Sequence, residues 1–137
     1  MQERNSTMGN ARPSSPGPFV LACEMFVGDD VVNARGEDLG QIAHIVLDVF
    51  HGKVVYAVLA HGGVFGIGEK LFAVPWSALR LDAEGRCFVL DIPKDGLERT
   101  RGFDREHWPA MADPAWAHEV HDAYGAAPYW EGGARLQ

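Results

Sequence analysis

The clearest structural signal in the chain lies in residues 40–76, which read GQIAHIVLDVFHGKVVYAVLAHGGVFGIGEKLFAVPW. Two long apolar runs flank the turn signal His51-Gly52, and a loop with several glycines leads into a third run that ends at Pro75. Runs rich in β-branched residues and punctuated by glycine are typical of consecutive antiparallel strands. The stretch therefore predicts a small β-module, and it indicates a fold more clearly than it indicates a reaction.

The strand pattern extends outward from this stretch in both directions. The predicted strands cover residues 31–33, about 40–50, 54–60, 71–74, the second half of 76–81, and 86–92. A meander of five or six short strands closes most economically as a small barrel. We therefore predict a mainly β domain over residues 19–99.

Alternation within the second strand suggests which side chains face the core. Ala43, Ile45, Leu47 and Val49 form the more uniformly apolar set, so they are predicted to face inward. The opposite set contains Ile42, His44, Val46 and Asp48. The third strand is apolar on both faces, which predicts a strand covered on both sides.

The two flanks differ from the barrel and from each other. Residues 1–18 are rich in Asn, Ser, Pro and Gly, so we predict a disordered tail. Residues 100–137 form a C-terminal extension whose clearest element is a helix at about 113–124. Asp113 fits its N-cap and Pro114 its first turn, while Gly125 stands where a C-terminal glycine belongs.

Composition excludes several classes of function. The net charge of −7 disfavours binding to nucleic acid or to an anionic membrane, because phosphates must be neutralised by Lys and Arg. No early apolar run resembles a signal peptide, and no run of about 20 apolar residues could span a bilayer. Cys23 and Cys87 lack metal-ligand spacing, so we expect two reduced thiols in a cytoplasmic protein; a mutual disulfide is the alternative.

The glycine loop invites comparison with phosphate-binding loops, but its residues do not match the motif of such loops. Glu69 stands where a P-loop requires lysine, and the loop leads into a strand instead of a helix. We therefore predict structural turn roles for its glycines, which are Gly62, Gly63, Gly66 and Gly68. Pro75 is predicted to end a strand, since proline cannot donate to the ladder.

The titratable residues do not form a catalytic pattern. His118 and His121 lie three apart on the predicted helix, a near miss for the zinc-protease motif, so a polar face is expected and an incidental metal site is the alternative. Asp48 is expected to have a structural role, either with a raised pKa or as an acceptor for loop amides. No nucleophile motif occurs, and we predict no catalytic, cofactor-binding or metal-binding residues.

Apolar side chains outside the predicted core are the best candidates for an interaction surface. Val64, Phe65 and Ile67 lie in the glycine loop, where they either fold back on the core or contact a partner. Aromatic residues gathered after the barrel, among them Trp108, Trp116 and Tyr124, exceed what one short helix needs. They are expected to cover the barrel or a second subunit.

The chain also resembles a known family. Residues 36–42 (GEDLGQI) and 46–48 (VLD) are similar to the opening of a PRC-barrel domain, and residues 55–59 (VYAVL), 62–70 (GGVFGIGEK) and 72–76 (FAVPW) continue the match. Residues after 100, including Trp108-Pro109 and Tyr124-Gly125, are similar to the extension of stand-alone bacterial members.

The resemblance implies a small, highly twisted antiparallel β-barrel with a non-catalytic role. The family includes the cytoplasmic domain of the photosynthetic reaction-centre H subunit and the C-terminal domain of a ribosome maturation factor. Neither specific function transfers, because this chain shows neither the transmembrane helix nor the partner domain. We expect a protein-interaction or assembly module that self-associates, as a dimer, with any other protein partner unknown. The alternative is a small-molecule or metal-binding regulator that uses the histidines and Asp48.

Overall fold

The computed structural model describes residues 22–62, 68–82 and 87–130. These residues hold six strands: β1 (Asp30–Val32), β2 (Asp38–Asp48), β3 (Lys53–His61), β4 (Lys70–Pro75), β5 (Leu79–Leu81) and β6 (Cys87–Leu90). They also hold helices α1 (Lys94–Arg99) and α2 (Pro114–Ala123), and 3-10 turns at Cys23–Met25 and Trp76–Ala78. The predicted tail, residues 1–18, lies outside the described residues.

All six strands form one curled sheet in the order β4-β3-β2-β1-β6-β5. The mainly β prediction is confirmed, but the meander is not purely antiparallel, because β1 pairs in parallel with β6. This pair arises because the chain leaves β4 at one edge and places β5 at the other, so that the β5–β6 hairpin returns beside β1.

The short connection from β4 to β5 explains why the sheet must curl. Only residues 76–78 separate Pro75 from Leu79, so these two positions are at most about 14 Å apart. The two edges of a flat six-stranded sheet would lie about 24 Å apart, at about 4.8 Å per strand pair. The edges are therefore drawn together, as a barrel requires.

Irregular pairing between β2 and β3 overturns part of the predicted assignment of faces in β2. Between Ile42 and His44 the extra residue lies in β2, where it reverses the alternation. As a result Ile42 is buried in the core, against which Ile45 also packs. Between Val46 and Leu47 the extra residue lies in β3, and Leu47, next to the end of β2, is 50% exposed. Strict alternation wrongly placed Ile42 outside and Leu47 inside.

The sheet buries side chains on both faces. One face carries the main core, formed by Val31, Leu39, Ile42, Ala57, Leu59, Phe72, Val74, Phe88, Leu90 and Leu97. The other face carries a smaller cluster around Val55, Tyr56 and Ala73, against which Trp116 and Val120 of α2 pack. The prediction that the third strand is covered on both sides is confirmed.

The C-terminal extension begins along the edge of the sheet and continues into the second helix. Phe103 exchanges two backbone hydrogen bonds with Leu71, at 2.8 and 2.9 Å, and so lies along edge strand β4. The predicted helix forms as α2, and the Asp113 side chain accepts a bond from the Ala115 amide at 3.0 Å. Gly125 follows the helix with a φ of +66°, as its predicted capping role requires.

Candidate interaction surface

The most exposed apolar side chains of the described residues gather at the β2–β3 turn. Val49 is 85% exposed and Phe50 is 91% exposed, while Leu47 is half exposed beside them. We call residues 47–52 the hairpin tip. Single exposed apolar residues are common on proteins, but a contiguous group indicates a contact surface.

Asp48 holds the hairpin tip in one conformation. Its Oδ1 accepts a bond from the His51 amide at 3.0 Å, and its Oδ2 lies 2.9 Å from Nδ1 of the His51 ring. The hydroxyl of Tyr129, from the C-terminal extension, donates to Oδ2 at 3.1 Å. Together with the 2.8 Å bond from the Gly52 amide to the Asp48 carbonyl, these contacts fix the turn that displays Phe50.

The electrostatics of Asp48 follow from these bonds. Hydrogen bonds from the side chain and the backbone of His51 lower the pKa of the Asp48 carboxyl below its usual value. The predicted role as acceptor of a loop amide is therefore confirmed, and the alternative of a raised pKa is wrong. Because the pKa is lowered, the bonds at the turn persist while Asp48 is ionised and weaken as acid protonates it.

The three aromatic candidates from the extension occupy different surroundings. The Trp116 ring packs edge-on against Tyr56 with centroids 5.4 Å apart, and Tyr124 packs on the main core. Trp108 contacts Phe103 and His44 at centroid distances of 5.2 Å and is still 41% exposed. Trp108 therefore offers the most outward surface, and the role of all three at an interface stays a prediction.

The glycine loop is described only at its ends. Gly62 and Gly68 have φ values of +80° and +83°, a conformation that favours glycine, in agreement with their predicted turn roles. Gly63, Val64, Phe65, Gly66 and Ile67 lie outside the described residues, so the interaction surface predicted there stays a prediction. Pro75 ends β4, as predicted.

The two helix histidines do not act together. Nδ1 of His118 lies 3.0 Å from the Pro114 carbonyl, and Nδ1 of His121 lies 2.7 Å from the Ala117 carbonyl. His118 is exposed, whereas His121 is buried. Across the described ranges, no three His, Cys, Asp or Glu residues are grouped closely enough to hold a metal ion. Cys23 and Cys87 are not joined to each other.

All three tyrosines of the chain ionise less readily than a free phenol. Burial raises the pKa of Tyr56 to about 12, and the negative charge of ionised Tyr129 adds to this shift. Burial also raises the pKa of Tyr124 and Tyr129, and the bond to Asp48 raises the latter further. The common cause is burial: Tyr124 packs on the main core, and Tyr56 and Tyr129 belong to the smaller cluster.

We expect the protein to lose stability at alkaline pH because of these phenols. A phenol whose pKa is raised by folding favours the folded protein while it stays protonated. This stability is complete below the pKa of the unfolded protein, about 10 for tyrosine, and is lost as the pH rises through the pKa of the folded protein. For Tyr56 the loss approaches about 2 kcal/mol near pH 12, at about 1.4 kcal/mol for each pKa unit. Ultraviolet titration of the folded protein should show no phenol that ionises below pH 10; an ordinary titration curve would contradict this.

Replacing Tyr56 by phenylalanine is expected to raise the free energy of unfolding at neutral pH by about 1 kcal/mol, because a buried hydroxyl without a partner is costly. Within the described ranges, the Tyr56 hydroxyl has no hydrogen-bond partner. Tyr124→Phe is the matched control: its hydroxyl lies 3.3 Å from the Thr100 hydroxyl, so its removal should lower stability slightly. Urea denaturation of both variants measures the difference. Equal losses in the free energy of unfolding for the two variants would contradict the view that the Tyr56 hydroxyl lacks a partner.

Comparison with known proteins agrees with the geometry. The family model for the PRC-barrel domain matches residues 21–97, more than half of the chain. The matched residues include all six strands and most of α1. No curated protein matches the chain significantly. None of the helices that the structure describes is long and apolar enough to cross a membrane. The match and the curled sheet together show that the chain belongs to the PRC-barrel domain family.

Proposed function

We propose that this chain is a non-enzymatic PRC-barrel interaction module that self-associates through its hairpin tip. The observation that carries the proposal is the outward display of Val49 and Phe50 on a turn that four hydrogen bonds to Asp48 hold in place. A preordered turn loses little conformational entropy when it binds, so more of the contact energy appears as affinity. We propose a dimer, and other protein partners are left open.

The expected strength of the contact follows from the two side chains. Full burial of a Val or Phe side chain contributes about 1.5–3 kcal/mol. A two-fold contact buries both residues twice, which gives roughly 6–12 kcal/mol before the cost of association. That cost is about 4–15 kcal/mol. The hairpin tip should therefore support a weak, reversible dimer, with a Kd on the order of micromolar or higher.

The charge distribution favours a second copy of the chain at this surface. The protein carries a net charge of −7, so two copies repel each other over most of their surfaces. In residues 47–54 the single acidic side chain, Asp48, is balanced by Lys53. The hairpin tip is thus a region of low net charge where two copies can approach, and added salt should strengthen the association by screening the repulsion elsewhere.

The non-enzymatic part of the proposal rests on how the candidate acids and bases are used. Both oxygens of Asp48 support the turn. Nδ1 of His61 bonds to the Leu39 carbonyl at 2.7 Å, and its Nε2 lies 3.0 Å from Glu98. Such bonds stabilise the fold and leave these groups less available for proton transfer. Unpaired Cys23 and Cys87 fit a reducing compartment, so we propose a cytoplasmic location.

Sedimentation equilibrium of the full chain tests the proposal. Between about 1 µM and about 1 mM protein, the average mass should rise from that of a 15.0 kDa monomer toward twice that value. The rise should be larger at high salt. A mass that stays monomeric over the whole range would refute self-association.

A further inference from the structure

A groove beside the C-terminal helix combines an apolar wall with two unused polar groups. It has a volume of about 600 Å³ and lies between the start of β3, the 3-10 turn at Trp76–Ala78 and residues 124–129. Its walls include Val55, Trp76, Tyr124, Pro128 and Tyr129. We call it the C-terminal groove. Pockets of this size hold small organic molecules.

The first unused group is the imidazole of His121, which lines the C-terminal groove. The residue is only 1% exposed. Its Nδ1 must donate to the Ala117 carbonyl, 2.7 Å away, because a carbonyl oxygen can only accept. In the neutral ring Nε2 is then an acceptor, and it is buried without a hydrogen-bond partner among the described residues. Leaving such an atom unsatisfied is costly, so we expect a hydrogen-bond donor to bind at Nε2.

The second unused group belongs to Lys53, another of the residues that line the groove. Asp48 is opposite Lys53 in the strand pairing and would be its natural partner. Both Asp48 oxygens are instead occupied by His51 and Tyr129, and Lys53 forms no ion pair with any residue that the structure describes. On a chain with a net charge of −7, a cation beside an apolar groove points to an anionic ligand.

We propose that the C-terminal groove binds a small aromatic monoanion that also carries a hydroxyl group. The carboxylate pairs with Lys53, the ring packs against Trp76 and Tyr124, and the hydroxyl donates to Nε2 of His121. Nε2 is closed to solvent, and the ring of Tyr129, which lines the groove, lies 6.1 Å from the His121 ring, centroid to centroid. Binding therefore shifts Tyr129 to open this end of the groove. Tyr129 also donates to Asp48 at the hairpin tip, so the C-terminal groove adjoins the surface of self-association.

The test is a titration of uniformly ¹⁵N-labelled full chain with three matched compounds, followed by NMR. 4-Hydroxyphenylacetate carries both polar groups, phenylacetate lacks the hydroxyl, and 4-methylphenol lacks the charge. We expect saturable shifts at Ser77, Gly125 and Ala126, which line the groove. The full compound should bind with a Kd of roughly 1 mM or below, as a ligand of this size allows, and about tenfold more tightly than either analogue.

Variants separate the two polar contacts. Lys53→Gln should weaken the binding of both carboxylates about tenfold and leave the affinity for 4-methylphenol unchanged, because only the carboxylates pair with the ammonium. Lys94→Gln is the control, since it removes the same charge from the N-terminus of α1, outside the groove. His121→Phe should make the hydroxylated and plain carboxylates bind equally. If that variant does not fold, Lys53→Gln and the three compounds still decide the matter. The proposal would be overturned by the absence of a saturable shift, by shifts outside the groove, or by equal affinity for all three compounds. Nε2 of His121 would then be satisfied by water alone.

Discussion

Replacing Gly40 by alanine is expected to lower the free energy of unfolding by at least about 3 kcal/mol. Gly40 lies in β2 with a φ of +133°, a backbone conformation that residues with a Cβ rarely adopt. An added Cβ would also lie 2.1 Å from the carbonyl oxygen of Ala60 on β3. Both the strand pairing and the local backbone would have to shift, because the obstructing atom belongs to the main chain.

Gly52→Ala provides the matched control for Gly40→Ala. Gly52 also has a positive φ, +67°, but an added Cβ there meets no atom within 4 Å. Its cost should be the conformational penalty alone, about 1–2 kcal/mol. Urea denaturation of both variants gives the comparison. Equal losses would show that the close approach of β2 to β3 at Gly40 does not determine stability.

The paired substitution Val49→Ser and Phe50→Ser is expected to abolish self-association. Both side chains face solvent in the single chain, so their removal should leave the free energy of unfolding within about 0.5 kcal/mol. The dimer, in contrast, loses most of the apolar area that we assign to its contact. Sedimentation equilibrium should then report a monomer at every concentration at which the unsubstituted protein dimerises.

Val27→Ser serves as the control for the hairpin tip. Val27 is also apolar and 42% exposed, but its neighbour Gly28 bonds to Ile42, so it lies far along β2 from the turn. This variant should dimerise like the unsubstituted protein. Loss of dimerisation in Val27→Ser, or its retention in the paired variant, would place the contact elsewhere.

Local signals in the sequence were sufficient to predict the strands and the C-terminal helix. The apolar runs before and after His51-Gly52 form β2 and β3, and the proline after Val74 ends β4. Asp113 and Gly125 mark the two ends of α2 through hydrogen bonding and a positive φ. Such features depend on a few neighbouring residues, so the sequence carries them directly.

Features that depend on distant residues were not predictable in the same way. The bulge in β2 reverses its faces, and it results from pairing with β3 instead of from the composition of β2. The parallel pairing of β1 with β6 joins segments more than 50 residues apart. The bond from Tyr129 to Asp48 spans 81 residues and ties the C-terminal extension to the hairpin tip.

The hairpin tip was missed for a local reason. Strict alternation predicted that Val49 is buried, whereas β2 ends at Asp48 and Val49 belongs to the exposed turn. Asp48, read as the acceptor that closes the turn, could have indicated the shorter strand and the exposed surface from the sequence. Likewise, helical spacing places His121 on α2 but does not show that its Nε2 lacks a partner.

The most direct test of self-association through the hairpin tip is a dilution series followed by NMR. The ¹⁵N-labelled chain is diluted from about 1 mM to about 10 µM, and the amide shift of each residue is recorded. We predict concentration-dependent shifts at residues 47–52, with little change at Trp108 and at residues 63–67. Spectra that do not change with concentration, or changes centred on Trp108 or on residues 63–67, would contradict the account.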